Sequence, residues 1–275
     1  MKKLILIATL TLLFLSSCLP YLSAAGEEET RELPILMYHS VSERQRGTYF
    51  VSPTTLREDL RVLKKRGYQS VTLAEVKSFL KGRGTLPEKP ILLTFDDGHY
   101  NNAYYALDIL KEEGFTAVLN VIGCFTEYSS THEKDQPEYS HLTWEEIGDL
   151  ARSGVFEIGS HTYRMHAYKP RFGIKRMAGE SPEAYRNALE NDLKELEQAL
   201  IEKSGVLPVA FAYPFGAYDD ESEEIVKEHY DTIFTCYERI NLLKKGEAGK
   251  LSRLYRINRD GTVTTDAFLR RNKLL

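Results

Sequence analysis

Cysteine is scarce in this 275-residue chain, tryptophan scarcer, and positive charge is not in excess: three Cys, one Trp, and 36 Lys plus Arg against 40 Asp plus Glu. The formal net charge of −4 leaves no basic footprint, which argues against a nucleic-acid partner. No apolar run is long enough to cross a bilayer unaided; the stretch at 4–15 falls short of the roughly 20 residues a spanning helix needs. A multi-span membrane protein is thereby excluded, and 42% hydrophobic with 28% charged residues is ordinary for a soluble fold with a sizeable core. Internal repeats and low-complexity linkers are also missing, so the bulk of the chain is assigned to one domain.

What is present begins with an export signal. Lys2 and Lys3 precede the apolar stretch, and two cleavage readings stay open. Ser23, Ala24 and Ala25 are the small residues a signal peptidase prefers, whereas Leu15-Ser16-Ser17-Cys18 resembles a bacterial lipobox. The expected division is a signal peptide over 1–25 (or a lipoprotein signal ending before Cys18), a short polar linker over 26–33, and one domain over 34–275. A lipid on Cys18 would be the chain's one link to a membrane. Cys124 and Cys236 then remain, and the sequence leaves open whether they are joined or are two buried thiols.

Strand-like apolar runs at 34–38, 68–71, 91–95, 116–122, 155–158, 209–213 and 232–235 alternate with helical patterns. Ser52-Pro53 opens a helix with Leu56, Leu60 and Leu63 on one face. Thr72, Asn101, Thr143, Ser181 and Asp219 or Asp220 are expected to cap later ones, and the polar stretch 126–141 is expected to be a loop over one end. The alternation predicts an α/β fold, an irregular (β/α) barrel of about seven parallel strands. In such folds functional groups gather at the carboxyl ends of strands. Four predicted strand ends carry chemistry: His39, Asp96-Asp97, His161 and Pro214-Phe215.

The motif LTFDDG (93–98) ends a buried strand on two like charges. Adjacent carboxylates raise each other's pKa unless something positive lies between them or they have different partners. A divalent metal on Asp97 would let Asp96 stay ionised and take a proton from water. The alternative is a turn in which the carboxylates merely cap a helix. GSHTYRMH (159–166) adds His161 and His166, five residues apart, which with Asp97 would make a two-His, one-carboxylate set with open positions.

Together, LTFDDG, the His161-Thr162 to His166 segment and YPFG (213–216) resemble the successive motifs of the polysaccharide deacetylases, the carbohydrate esterase family that includes chitin and peptidoglycan deacetylases. The resemblance implies a seven-stranded irregular barrel, one divalent metal (zinc first, with cobalt, nickel or iron also suited) and hydrolysis of N-acetyl or O-acetyl groups on a sugar. It casts Asp96 as base, Asp97, His161 and His166 as metal ligands, and Phe215 as the residue whose backbone N–H faces the oxyanion. Two departures stand out. The family's motif arginine is replaced by Ala212, and no C-terminal Leu-x-His supplies an acid. PILMYHS (34–40) resembles instead the circularly rearranged branch typified by deacetylases of poly-β-1,6-N-acetylglucosamine, which casts His39 as the general acid.

The implied substrate is an N-acetylated polysaccharide, with peptidoglycan or O-acetylated xylan as alternatives, acted on outside the cytoplasm by a monomer. A sugar-binding protein without turnover is the competing class. Tyr100, Tyr213 and Pro214 are expected to border the substrate. His99 is expected to start a helix facing solvent, His132 and His141 to lie on the surface, and Trp144 to pack in the core.

Overall fold

A computed structural model of the chain describes residues 29–133 and 136–275. The export segment and Cys18 lie outside the described residues. The described residues form twelve strands: β1 (Thr30–Leu33), β2 (Ile35–Tyr38), β3 (Ser40–Val41), β4 (Phe50–Val51), β5 (Gln69–Ser70), β6 (Pro90–Phe95), β7 (Ala117–Val121), β8 (Phe156–Ser160), β9 (Phe211–Ala212), β10 (Ile233–Phe234), β11 (Asn241–Lys244) and β12 (Ile257–Asn258). Eight α-helices accompany them: α1 (Pro53–Lys65), α2 (Leu73–Leu80), α3 (Leu107–Glu113), α4 (Gly123–Thr131), α5 (Trp144–Arg152), α6 (Pro182–Ala199), α7 (Asp220–His229) and α8 (Thr265–Arg271).

The main sheet is parallel throughout, in the order β10-β9-β8-β7-β6-β2-β12, with β5 paired to the first residues of β6. All seven strand regions read from the sequence are found. The sheet curls into an open barrel whose edges meet through Leu254, just before β12: its N–H donates to Ile233 O and its carbonyl accepts from Thr235 N, at 2.8 and 2.9 Å. β12 itself is not legible as a buried strand, because Arg256 and Arg259 make its surroundings read as surface.

Alternation along the strands divides most of their side chains between two cores, with Phe211 of β9 and Ile233 of β10 joining α6 and α7 in a third. Leu93 and Phe95 of β6, with Leu36, Leu119 and Ile158, pack against Leu56, Leu60 and Leu63 of α1 and against α3 and α5. Leu92, with Ile35, Val118, Ala212 and Phe234, joins Leu73, Val76, Phe79 and Leu80 of α2. Both faces of β6 are covered, which is why its six residues form an almost unbroken apolar run.

Helix starts follow the expected caps at Ser52, Thr72, Thr143, Ser181 and Asp219, each side chain accepting a bond from the backbone of the first turn. Asn101 does not cap. Its amide instead binds Val41 N–H (3.1 Å) and Ser40 Oγ (2.7 Å), and the chain after it runs through a π-helical turn, Asn102–Ala106, before α3. Two further expectations are corrected. The stretch expected as a loop from residue 126 is helical to Thr131, because the first amides of α4 find acceptors outside the helix: Gly123 N donates to Thr162 O and Cys124 N to Tyr163 O. The expected linker is, over Thr30–Leu33, a strand antiparallel to β11, with Leu33 fully buried and Arg31 Nε donating to Pro87 O at 3.0 Å.

Candidate active site

The carboxyl ends of β2, β6, β8 and β9 open into one cavity of about 710 Å³, within the range of small-molecule sites. His39, Asp96, Asp97, His161, His166 and Phe215 all line it. The parallel topology therefore converges residues that are up to 176 positions apart in sequence.

At the end of β6 the chain turns sharply: Asp97 takes φ +73° and Gly98 φ +69°. Aspartate is one of the few residues that tolerates the left-handed region, and a Cβ at Gly98 would press on Val121 at 3.2 Å. The turn sends the two carboxylates to different partners. Asp96, 2% exposed, accepts from Arg256 Nη1 and from Asn120 Nδ2, both at 2.7 Å through Oδ1. Burial alone would raise its pKa, but the Arg256 guanidinium, aided by His161 and His39, outweighs it and holds Asp96 at about 2. Asp97 is likewise held well below the carboxylate range: burial is outweighed by its hydrogen bond with His99 and by the surrounding imidazoles.

Arg256 answers the question raised by Ala212. It is fully buried, also donates to Thr235 O, and reaches Asp96 from the segment entering β12. The sequence carries only a faint signal for it, an arginine flanked by Leu254 and Ile257. Asn120, a lone amide inside the apolar run of β7, was the more legible of the two partners.

Asp97, His161 and His166 bring one ligating atom each to within 4.8 Å of one another. His161 Nε2 and His166 Nε2 lie 3.6 and 3.4 Å from Asp97 Oδ1. Those separations suit a shared cation, since a tetrahedral site with bonds of about 2.0–2.1 Å has ligand atoms about 3.3 Å apart. His161 is aimed by its other nitrogen, 2.7 Å from Ala212 O, the kind of outer contact that fixes a ligating tautomer. His166 packs on Phe215, ring centroids 4.3 Å apart. Burial, then His161, lowers His166 to about 4, so its imidazole is neutral and ligand-ready at pH 7.

His39 follows β2 and rests on Tyr49, centroids 4.7 Å apart. Its Nδ1 is buried without a partner, and burial lowers its pKa against the pull of Asp97 and Asp96. Phe215 adopts φ +57° in the turn after β9. Tyr213 lines the cavity, whereas Pro214 is buried and is not among the lining residues. Tyr100 departs from expectation: it borders a separate groove with Tyr104, Leu107 and Glu146 of α5 and does not line this cavity.

His99 is a further correction. It lines the cavity, its Nε2 3.5 Å from Asp97 Oδ2, and its ring stacks on His141 at 5.0 Å. A short antiparallel bridge ties His99 to His141, which is partly buried behind it and not on the open surface. His132 stays exposed against Tyr128, and Trp144 packs in the core with Nε1 donating to Glu127. Cys124 and Cys236 are free thiols, and Cys236 borders the cavity beside Arg256.

Comparisons with known proteins agree with this geometry. The chain is 28% identical over 228 residues to the poly-β-1,6-N-acetyl-D-glucosamine N-deacetylase of Escherichia coli (strain K12), covering 73% of this chain and 33% of that protein. The chain thus spans about a third of the length of that curated relative. Among solved structures, IcaB from Ammonifex degensii superposes with a TM-score of 0.70 at 26% identity, over 89% of this chain and 97% of that one. BC0361, a polysaccharide deacetylase from Bacillus cereus, gives 0.68 at 26% identity, over 88% and 69%. The family model for polysaccharide deacetylase matches residues 83–232, from just before β6 to the start of β10, and by that match the chain belongs to the polysaccharide deacetylase family.

Proposed function

We propose that this protein is a metal-dependent deacetylase that hydrolyses N-acetyl groups on N-acetylglucosamine units of an extracellular polysaccharide, releasing acetate. The observation that carries the reading is the separation of the two adjacent carboxylates: Asp97 faces two imidazoles while Asp96 faces Arg256 and Asn120. Asp97, His161 and His166 would hold the cation, with zinc the first choice for two nitrogens and one oxygen, and cobalt, nickel or iron also suited. When bound, the cation supplies Lewis acidity toward the acetyl carbonyl and toward water.

The chain's own residues do the rest. Asp96, kept ionised and oriented by Arg256 and Asn120, accepts the proton of the attacking water. The Phe215 backbone N–H donates to the oxygen on which negative charge develops. His39, at the end of the neighbouring strand β2, donates a proton to the departing amine; its partnerless Nδ1 leaves the ring free of a competing bond. Tyr213 lines the walls against which the sugar would lie. Pro214 and Tyr100 are left without a substrate role.

The competing reading, a sugar-binding protein without turnover, would draw on the missing motif arginine and the absent C-terminal acid; Arg256 beside Asp96 and His39 in the cavity weigh against it. The relatives named for poly-β-1,6-N-acetylglucosamine make the β-1,6-linked polymer the first substrate to try, ahead of β-1,4-linked chains, peptidoglycan or acetylated xylan. We place the enzyme outside the cytoplasm, secreted or held by a lipid on Cys18, and acting as a monomer; the N-terminal apolar segment supports export. The test is acetate release from β-1,6- and β-1,4-linked N-acetylglucosamine oligomers before chelation, after it, and after zinc or cobalt is restored. Release that stops on chelation and returns with metal is expected. No release from either oligomer by metal-loaded protein would sink the assignment.

A further inference from the structure

The segment joining the two histidines of the site is a turn with unusual constraints. Thr162, a β-branched residue, sits fully buried at φ +72°, a strained conformation that persists only where the surroundings over-determine it. The constraints come from two directions. From α4, Gly123 N–H and Cys124 N–H donate to the carbonyls of Thr162 and Tyr163, at 3.1 and 2.8 Å. From α6, the Asp192 carboxylate accepts from the next two amides, Oδ1 from Tyr163 N at 2.8 Å and Oδ2 from Arg164 N at 2.7 Å.

Asp192 is 6% exposed, and the Arg164 guanidinium turns away from it to Glu195 at 2.8 Å. A buried carboxylate satisfied by backbone amides and not by a cation is costly to maintain. It nonetheless has a geometric virtue: two oxygens on successive N–H groups leave the peptide between them no freedom to rotate. Ligating atoms must be held to within about 0.5 Å for a site to work, and His161 and His166 stand on either side of the clamped peptides.

We propose that Asp192 is a positioning residue for the metal centre, acting through the backbone of the turn to set the spacing of His161 and His166 and hence the affinity for the cation. The inference rests on the metal-dependent reading above. It makes an acidic residue on the helix after the ligand loop, which never touches the cavity, a determinant of metal binding.

The test is the affinity of the full chain for Zn²⁺, by chelator competition, in the native protein, Asp192→Asn, Asp192→Ala and Glu195→Gln, with the visible spectrum of the Co²⁺-loaded proteins as a second readout. Asp192→Asn keeps the shape and one of the two acceptor oxygens, so it is expected to disturb the fold less than Asp192→Ala. Loss of a partner bonded directly to a ligand typically weakens metal affinity 10–100-fold; Asp192 acts one step further out, through Tyr163 and Arg164, and we expect about 10-fold for Asp192→Asn, with an altered Co²⁺ spectrum. Glu195→Gln, which removes a nearby surface charge, should bind as the native chain does. Native Zn²⁺ affinity and Co²⁺ spectrum in Asp192→Asn would overturn the proposal, even if the metal-free variant melts at lower temperature, for that would be a purely structural role. A native protein that binds neither ion would overturn the metal-dependent reading itself, a different result from equal affinities.

Discussion

Asp96 and Asp97 differ by one position in sequence and entirely in environment, and that difference generates the first predictions. Asp97→Ala removes the carboxylate that Nε2 of both histidines approaches, so the protein should fail to retain zinc in metal analysis. Asp96→Asn should retain zinc and lose turnover by several orders of magnitude; full activity would refute its role as base. Arg256 is fully buried, and removing one partner of a buried ion pair typically costs about 3–5 kcal/mol because the other charge is left uncompensated. Arg256→Met should therefore lower the urea midpoint sharply. Adding Asp96→Asn should recover part of the loss, since the amide needs no counter-charge; strict additivity in that cycle would show that the pair is not coupled.

Elements carry the site by close approach as much as by hydrogen bonds. β7 and β8 lie so near that a Cβ at Gly159 would fall 2.1 Å from Asn120 Oδ1, the amide whose nitrogen holds Asp96. Gly159→Ala is thus expected to cut kcat through Asp96 while leaving zinc content unchanged; an unaffected kcat would show that Asn120 can shift freely. At the start of α4 a Cβ on Gly123 would meet the Tyr163 ring at 2.3 Å, inside the turn between the histidines. Gly123→Ala should accordingly lower zinc affinity as well as stability. By contrast, Thr143→Ala deletes a capping box at α5, whose residues do not line the cavity, and should cost about 1 kcal/mol in denaturant melts with catalytic constants little changed.

At the scale of the whole molecule, burying imidazoles in and beside the cavity makes the metal-free protein acid-sensitive. Burial, then His99, lowers His141 to about 4, and burial, then His161, does the same for His166. Unfolded, each titrates near 6.5. Between those values the folded state binds fewer protons, so stability present above pH 6.5 is lost as pH falls toward 4. The melting temperature of chelated protein should drop from pH 7 to pH 5, and His141→Gln should flatten that slope; an unchanged slope would exclude His141 as a contributor. The division between sequence and structure follows the same physics. Alternating apolar runs, helix caps and residues at four strand ends are local signals, so the parallel α/β architecture could be read along the chain, as could the strand-end places of Asp96, Asp97, His161, His166, His39 and Phe215, which line one cavity. Arg256 beside Asp96, Asp192 beneath the histidine turn, His99 stacked on His141, and Tyr100 drawn to another groove could not. Each depends on which distant segment the curled sheet brings alongside, and a contact across 160 residues leaves no periodicity in the sequence to announce it.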